Sequence, residues 1–234
     1  SLAEPHWEDG LYPVHLHSHG NMGYVGTSAN LMAHFASHGW VSVAPEHVGN
    51  TLGNFISPRP SWMYYVRGHD LTATLDAMGD LPEADPLAGK LALDAVALSG
   101  HSFGGFTAYG TAGATFDMEM ITESCTTGEG NVGECDDEAL AAYQAGVVDD
   151  RVVSAMILDG GNPEFYGETG YESITVPILQ MLAVSADGEA HGASDVIWPR
   201  LQTLVATRVE ALGGCHQTFS VGGCGGISDE DGFG

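Results

Sequence analysis

One short motif, GHSFGG at residues 100–105, constrains the fold of this chain more than any other feature. It follows the apolar run 91–98, which predicts a buried strand, and it precedes the small-residue stretch 106–112, which predicts a helix. A serine between glycines at such a strand-to-helix turn is typical of a nucleophile elbow. The glycines are needed because the turn brings backbone segments too close together for a Cβ atom. The motif therefore predicts a strand–helix unit that exposes a reactive hydroxyl on Ser102.

Other apolar segments extend this unit into a larger sheet. Hydrophobic strands alternate with helical patterns along the chain, which favours an α/β fold: a mostly parallel sheet with helices on both faces. We expect further strands at 13–16, 40–45, 152–158, 177–184 and 208–212, further helices at 28–37, 62–78 and 197–205, and a loop at 46–61. The length fits one domain over residues 1–234, with the chemistry at the carboxyl ends of the strands.

The segment from about 117 to 150 stands apart in composition. It holds ten acidic residues and neither lysine nor arginine. We interpret it as an acidic insertion in the domain, either a lid or side flap or, more simply, a solvated surface loop. It lacks the ligand spacing of an EF-hand, so the sequence indicates no calcium loop there.

The charge balance excludes several classes of partner. The chain carries 31 acidic and 6 basic side chains, which gives a formal net charge of −25. Phosphate groups are repelled by such a surface, so we expect no nucleic-acid partner and no binding to anionic membranes. No apolar run approaches the roughly 20 residues that span a bilayer, so we also expect no membrane span. The oligomeric state is not predicted.

Four cysteines fall into two local pairs, Cys125 with Cys135 and Cys215 with Cys224. Neither pair has the C-x-x-C spacing of a zinc site, and both lie in polar, glycine-rich sequence. We therefore expect disulfides, of which these two local bridges are one connectivity among several. Disulfides persist in oxidising compartments, so they favour a secreted or periplasmic protein whose leader has already been removed.

A serine nucleophile needs a base to take its proton and an acid to orient that base. In hydrolases built on this elbow the chain order is serine, acid, histidine. His216 follows the last expected strand in a glycine-rich loop and is the predicted base. Asp159 and Asp187 each follow a strand between Ser102 and His216, and the residue pattern alone leaves the choice between them open.

The developing oxyanion needs two backbone N–H donors. We expect one from Phe103, directly after the serine, and one from Asn21, in the loop after the first strand. The alternating His15, His17 and His19 lie on that strand and could suggest a metal. No carboxylate ligand motif accompanies them, so we expect hydrogen-bonded core histidines, no metal and no cofactor.

In these motifs the chain resembles serine esterases of the α/β-hydrolase superfamily. Within that superfamily it resembles platelet-activating-factor acetylhydrolases, dienelactone-hydrolase-like enzymes and cutinase-like polyester hydrolases. The matching pieces are Ser18-His19-Gly20, the helix with Arg67 and Asp70, the motif at 100–105, Ile157-Leu158-Asp159, the strand 176–179 and His216-Gln217-Thr218-Phe219.

The resemblance implies an α/β-hydrolase fold and a carboxylic-ester hydrolase that works through an acyl-enzyme. Its expected substrates are small, lipid or polymeric esters. In the acetylhydrolase branch the catalytic acid stands where Asp159 stands here, whereas in the polyester-hydrolase branch it lies one strand later, near Asp187. A disulfide next to the catalytic histidine is a feature of the polyester branch, and Cys215 adjoins His216. We favour Asp159, and we interpret Arg67 and Asp70 as structural.

Two other functions use the same pattern. A non-catalytic binding protein can keep a hydrolase scaffold and its pocket. A thioesterase or a peptidase can use the same Ser-His-Asp chemistry.

Overall fold

The computed structural model describes residues 10–128, 132, 135–186, 188–190, 193–221 and 224, and it contains eight strands among them. In chain order the strands are β1 (Tyr12–Ser18), β2 (Val41–Val43), β3 (Asn50–Thr51), β4 (Asn54–Phe55), β5 (Leu91–His101), β6 (Val152–Leu158), β7 (Ile178–Val184) and β8 (Ala206–Leu212). Six of them form one sheet in the order β2-β1-β5-β6-β7-β8, and every neighbouring pair is parallel. The short strands β3 and β4 form a separate antiparallel hairpin.

Helices flank the sheet on both faces, as the alternating pattern predicts. They are α1 (Ala29–Ser37), α2 (Met63–Gly79), α3 (Phe103–Thr111), α4 (Met118–Thr127), α5 (Asp137–Ala145) and α6 (Ser194–Ile197). Short 3₁₀ turns cover Val25–Ser28, Pro163–Phe165, Gly170–Ser173, Trp198–Arg200 and His216–Phe219. The predicted α/β-hydrolase fold class is confirmed.

The central strands are buried because helices cover both of their sides. Leu16, Leu98, Ile157 and Leu182 are at most 1 % exposed, one on each of β1, β5, β6 and β7. Such continuous burial needs near-continuous hydrophobic strands, which is why the apolar runs in the sequence locate them well.

The strand order creates a crevice at one edge of the sheet. From β1 the chain moves outward to β2, whereas β5 to β8 run in the opposite direction across the sheet. The order therefore reverses between β1 and β5, and in open parallel sheets ligands bind outside the carboxyl ends of the strands at such a point. Ser102 lies directly at this position, after the last residue of β5.

The interpretation of 117–150 as a solvated surface loop is wrong for the residues described there. Asp117 accepts hydrogen bonds from the backbone N–H groups of Glu119 and Met120, so it caps α4. Asp136 caps α5 in the same way through the N–H of Ala139. Carboxylates stabilise helix N-termini, which accounts for part of the acidic composition. The apolar side chain of Ile121 is fully buried, so the segment contributes to the core.

Two further predictions need correction. The loop expected at 46–61 contains the β3–β4 hairpin. The helix expected at 197–205 is wrong, because α6 ends at Ile197 and only a 3₁₀ turn follows, Trp198–Arg200. Pro199 explains this, since proline lacks the N–H that a continuing α-helix needs.

Both predicted disulfides are present. The Cα atoms of Cys125 and Cys135 are 5.1 Å apart, and those of Cys215 and Cys224 are 5.7 Å apart. The first bridge links α4 to the residue before the cap of α5, and the second closes the loop that carries His216. Among the described residues, no helix combines the length and the apolar character that crossing a bilayer requires.

Candidate active site

Ser102 occupies the strained turn that its motif predicts. Its backbone φ is 55° and its ψ is −121°, a conformation that costs a non-glycine residue free energy. The neighbouring glycines make this turn sterically feasible. A Cβ on Gly100 would overlap the carbonyl oxygen of Gly104, and a Cβ on Gly104 would overlap that of Ser18. The serine is therefore held half-buried between the ends of β5 and β1 and the start of α3.

Asp159 and His216 form a hydrogen-bonded pair beside this turn. His216 Nδ1 lies 2.7 Å from Asp159 Oδ2, and the aspartate side chain is fully buried. The other carboxylate oxygen, Oδ1, accepts the backbone N–H of Ala183 at 3.2 Å. Because both oxygens are engaged, the carboxylate is fixed relative to the imidazole ring. Asp187, the alternative acid, lies outside the described residues.

Ser102 and His216 line the same cavity, whose volume is about 240 Å³. Its lining consists of Gly20, Asn21, Met22, Gly23, Tyr24, Thr27, Leu52, His101, Ser102, His216, Gln217 and Ser220. His216 Nε2 is buried and has no hydrogen-bond partner among the described residues. Most buried polar atoms in proteins are hydrogen-bonded, so an unpartnered nitrogen at a cavity is compatible with a catalytic role. This nitrogen is the one that a base would use toward Ser102, since Nδ1 already faces Asp159.

His101 is a site residue that sequence reasoning did not single out, although it stands inside the elbow motif. Its Nε2 lies 2.8 Å from the backbone carbonyl oxygen of His216. Burial lowers the pKa of His101 to about 4, so the ring is neutral near pH 7 and donates Nε2–H to that carbonyl. The residue before the nucleophile thus holds the backbone of the histidine loop.

The loop that carries Asn21 lies against Ser102. The position that a Cβ on Gly20 would take is 3.2 Å from Ser102 Cβ. Met22 has a φ of 54°, another strained non-glycine conformation. The Asn21 side chain accepts a hydrogen bond from Asn50 Nδ2 at 2.7 Å, which ties the loop to β3.

Phe103 is the first residue of α3 and is 3 % exposed. Its backbone N–H is one of the free donors at the start of that helix, where the helix dipole favours negative charge. The two segments expected to donate N–H groups therefore flank the serine. Whether Asn21 and Phe103 act as oxyanion donors stays a prediction.

The three alternating histidines, His15 and His17 on β1 and His19 directly after it, are engaged in hydrogen bonds. His15 lies 2.7 Å from the hydroxyls of both Ser42 and Ser99, and His17 lies 2.7 Å from that of Ser99. His19 Nδ1 lies 2.8 Å from the carbonyl oxygen of Gly20. Burial lowers the pKa of His15 and of His19 to about 4 and that of His17 well below its usual range, so all three are neutral near pH 7.

The arrangement offers a hydroxyl on a strained turn, an imidazole that lines the same cavity, and a buried carboxylate bonded to that imidazole. This set can perform acyl transfer through a covalent intermediate. Among the described residues, no group of three or more His, Cys, Asp or Glu side chains could hold a metal ion.

Comparison with known proteins adds one relationship. The family model described as Chlorophyllase matches residues 2–127 of the chain. The match spans β1, the helix α2 and the elbow with Ser102, whereas Asp159 and His216 lie beyond it. No curated protein matches the chain.

Proposed function

Because this chain belongs to the chlorophyllase family, a family of serine-esterase-type α/β-hydrolases, we propose that it hydrolyses carboxylic esters with Ser102, His216 and Asp159. The observation that carries the proposal is the bond of 2.7 Å between His216 and Asp159, with His216 and Ser102 lining one cavity. The strained backbone of Ser102 supports it further, since strain of this kind is typical of functional sites. We propose that residues 1–234 form a single catalytic domain.

The chemistry follows from the atoms at the site. His216 Nε2 takes the proton from Ser102 Oγ as that oxygen forms a bond to the ester carbonyl carbon. The carbonyl oxygen becomes an anion, held by the N–H groups of Asn21 and Phe103. When the oxyanion collapses, the ester C–O bond breaks and His216 gives its proton to the leaving alcohol. Water then attacks the acyl-enzyme with His216 as base again, which releases the acid and restores Ser102.

The walls of the cavity favour an uncharged, apolar ester. Met22, Tyr24 and Leu52 contribute apolar surface beside Ser102. Tyr24 and Leu52 also line a second, more open cavity that Val48 and Glu46 border, so the apolar surface continues outward from the serine. Leu52 and Val48 are 65 % and 69 % exposed, which leaves them free to contact a long or bulky substrate. The net charge of −25 disfavours anionic substrates.

The two disulfides support a protein that folds in an oxidising compartment. We therefore propose a secreted or periplasmic location. Esters from outside the cell, including polymers and lipids, are then within its reach.

A fluorophosphonate probe and one variant test the proposed function. We expect the probe to label the wild-type protein once and Ser102→Ala not at all, because the probe reacts only with an activated serine. Hydrolysis of p-nitrophenyl acetate should fall by a factor of about 10⁴ or more in Ser102→Ala. Ser37→Ala, on the exposed end of α1, is the matched control and should keep full labelling and activity. A wild-type protein that is not labelled, or a Ser102→Ala variant that keeps its activity, overturns the proposal.

The substrate class is tested on the same preparation. The panel holds acetyl and long-chain p-nitrophenyl esters, a polyester film, a phospholipid, chlorophyll because the family is named for it, a thioester and a peptide. Preference for the uncharged apolar esters supports the assignment. A higher kcat/KM on the thioester or the peptide identifies one of the rival activities that the triad also permits.

A further inference from the structure

A buried arginine connects the two segments that flank Ser102. Arg67 lies on α2 and is 0 % exposed, one of only six basic residues in the chain. Burial is costly for a guanidinium, and in the described part of the chain no carboxylate forms an ion pair with Arg67, so its hydrogen-bond partners must compensate the charge. Burial lowers the pKa of Arg67 to about 9, which leaves it protonated near pH 7.

On one side Arg67 holds the loop after β1. Its Nη2 donates to the backbone carbonyl of His19 and, at 3.1 Å, to Ser18 Oγ. Its Nη1 donates to Asn50 Oδ1 at 2.7 Å. The amide group of Asn50 in turn donates to Asn21 Oδ1 at 2.7 Å, so the guanidinium reaches the Asn21 loop by two routes.

On the other side Arg67 holds the start of α3. Its Nε donates to Thr107 Oγ1 at 3.1 Å, and this hydroxyl donates to the carbonyl oxygen of Phe103 at 3.0 Å. The guanidinium carbon also lies 4.6 Å from the centre of the Phe103 ring. Arg59 lies 4.3 Å from the same ring, so two cations contact the residue that follows Ser102.

A second Ser-His-Asp arrangement supplies the negative charge for this arginine. Ser18 Oγ lies 2.9 Å from His47 Nε2, and His47 Nδ1 lies 2.8 Å from Asp70 Oδ2. One donor arrangement satisfies every group: Arg67 donates to Ser18, Ser18 to His47, and His47 to Asp70. Burial lowers the pKa of His47 well below its usual range, so its ring is neutral and can accept and donate at once.

This second arrangement is not a nucleophilic site. Ser18 is 0 % exposed, so a substrate cannot reach its hydroxyl. Its oxygen also accepts a hydrogen bond from the guanidinium of Arg67, which makes it a poorer nucleophile. It connects Asp70 to Arg67 by hydrogen bonds through two neutral side chains, and the negative charge of Asp70 raises the pKa of Arg67 against the effect of burial.

We propose that Arg67 is a positioning residue that sets the spacing between the Asn21 loop and the start of α3, and thereby aligns both N–H donors of the oxyanion site. This inference rests on the proposed function. A planar guanidinium with five N–H donors can serve four acceptors in fixed directions, which an ammonium group cannot do. Oxyanion donors act only when they are held in place before the reaction, so a shared anchor affects the transition state more than substrate binding.

The test compares Arg67→Lys with wild type on p-nitrophenyl acetate, with kcat expressed per active site titrated by the fluorophosphonate. We expect kcat to fall by about 10-fold or more with KM within about 2-fold, because the lost interaction belongs to the transition state. Inhibition by phenylboronic acid, whose serine adduct places an oxygen in the oxyanion site, should weaken by a similar factor. A residue that only stabilised the fold would lower the titrated fraction and leave kcat per titrated site unchanged.

Arg151→Lys is the matched control. Arg151 also makes several hydrogen bonds through its guanidinium, to Asp149, Asp76 and Thr72, but none of them leads to the site. The Arg151→Lys variant should lower the free energy of unfolding and leave kcat per titrated site unchanged.

Asn21→Ala gives a second measurement if Arg67→Lys does not fold. It removes only the side chain that Asn50 holds and keeps the backbone N–H, so the same selective fall in kcat is expected. If kcat per titrated site and boronate affinity stay at wild-type values in the variant that folds, the inference is overturned while the proposed function stands. If the wild-type protein is not labelled at Ser102, the proposed function fails first.

Discussion

At the scale of single residues, the candidate site is distinguished by backbone strain. Four non-glycine residues in the described part of the chain have a positive φ, and three of them, Met22, Ser102 and Asp159, lie at the site. Such conformations persist only where the surrounding structure enforces them. Asp159 is held by its backbone bond to Met181 and by its two carboxylate contacts.

Asp159→Asn tests the role of the acid. Asparagine tolerates the positive φ of 52° at this position, so the fold should be kept. The amide no longer favours the productive tautomer of His216, and in comparable triads this costs about 10⁴ in kcat. When Asp187→Asn is measured on p-nitrophenyl acetate in the same experiment, its kcat should fall by less than about 10-fold. A larger loss in Asp187→Asn would reverse the assignment.

At the scale of elements, His216 depends on a short turn that several contacts hold in place. It starts the 3₁₀ turn His216–Phe219 after β8. The bridge Cys215–Cys224 closes the loop beside it, Asp159 holds its ring, and His101 holds its carbonyl oxygen. A turn of four residues has little stability of its own, so these contacts decide where the imidazole lies.

The two disulfides should therefore differ in their effect on catalysis. Each closes a loop of similar length, with sequence separations of 10 and 9, so each should contribute about 2–3 kcal/mol to the free energy of unfolding. Changing Cys215 and Cys224 to serine should lower both the melting temperature and kcat per titrated site. Changing Cys125 and Cys135 should lower the melting temperature alone, because α4 and α5 contribute no residue to the cavity. Equal effects on kcat would contradict the anchoring role.

At the scale of the whole molecule, two electrostatic features act together. Five histidines, His15, His17, His19, His47 and His101, are at most 4 % exposed and have lowered pKa values. The folded protein therefore keeps them neutral at pH values where the unfolded chain would protonate them. The net charge of −25 adds self-repulsion, which salt screens.

We expect acid to destabilise the protein between about pH 6.5 and pH 4. In this window the unfolded chain binds protons at histidines whose folded pKa is about 4, so the free energy of unfolding falls as the pH falls. The loss is at most about 3 kcal/mol for each of His15, His19 and His101. Asp70 opposes this by about as much as one histidine contributes, because burial raises its pKa from 3.8 to about 6 and its folded form gains a proton first. The several buried histidines outweigh this single carboxyl group, so the net effect of acid is destabilising.

Urea unfolding at pH 8, 6.5, 5 and 4 and constant ionic strength measures this effect. His15→Gln should make the free energy of unfolding depend less on pH, because glutamine can form hydrogen bonds but does not titrate. His34→Gln, at an exposed position of α1, is the control and should leave it unchanged. An unfolding free energy that is constant from pH 6.5 to pH 4 contradicts the expectation.

Local features of the structure could be predicted well. The nucleophile elbow and β6 are encoded by neighbouring residues, since glycines, apolar runs and strand lengths act within a few positions. Prediction failed where local preference competes with packing. The acidic composition of 117–150 predicts a surface loop, whereas Asp117 and Asp136 cap helices that bury Ile121 and Tyr143 in the core.

Local residue patterns predict a mostly parallel α/β sheet, an elbow that carries Ser102, and disulfides among the four cysteines. The contact between Asp159 and His216, which lies 57 residues away along the chain, and the link that Arg67 makes between the Asn21 loop and α3 emerge from the three-dimensional fold. The two kinds of feature differ because the elbow is specified by backbone sterics between near neighbours. A hydrogen bond between distant side chains depends on which strand ends the sheet order brings together.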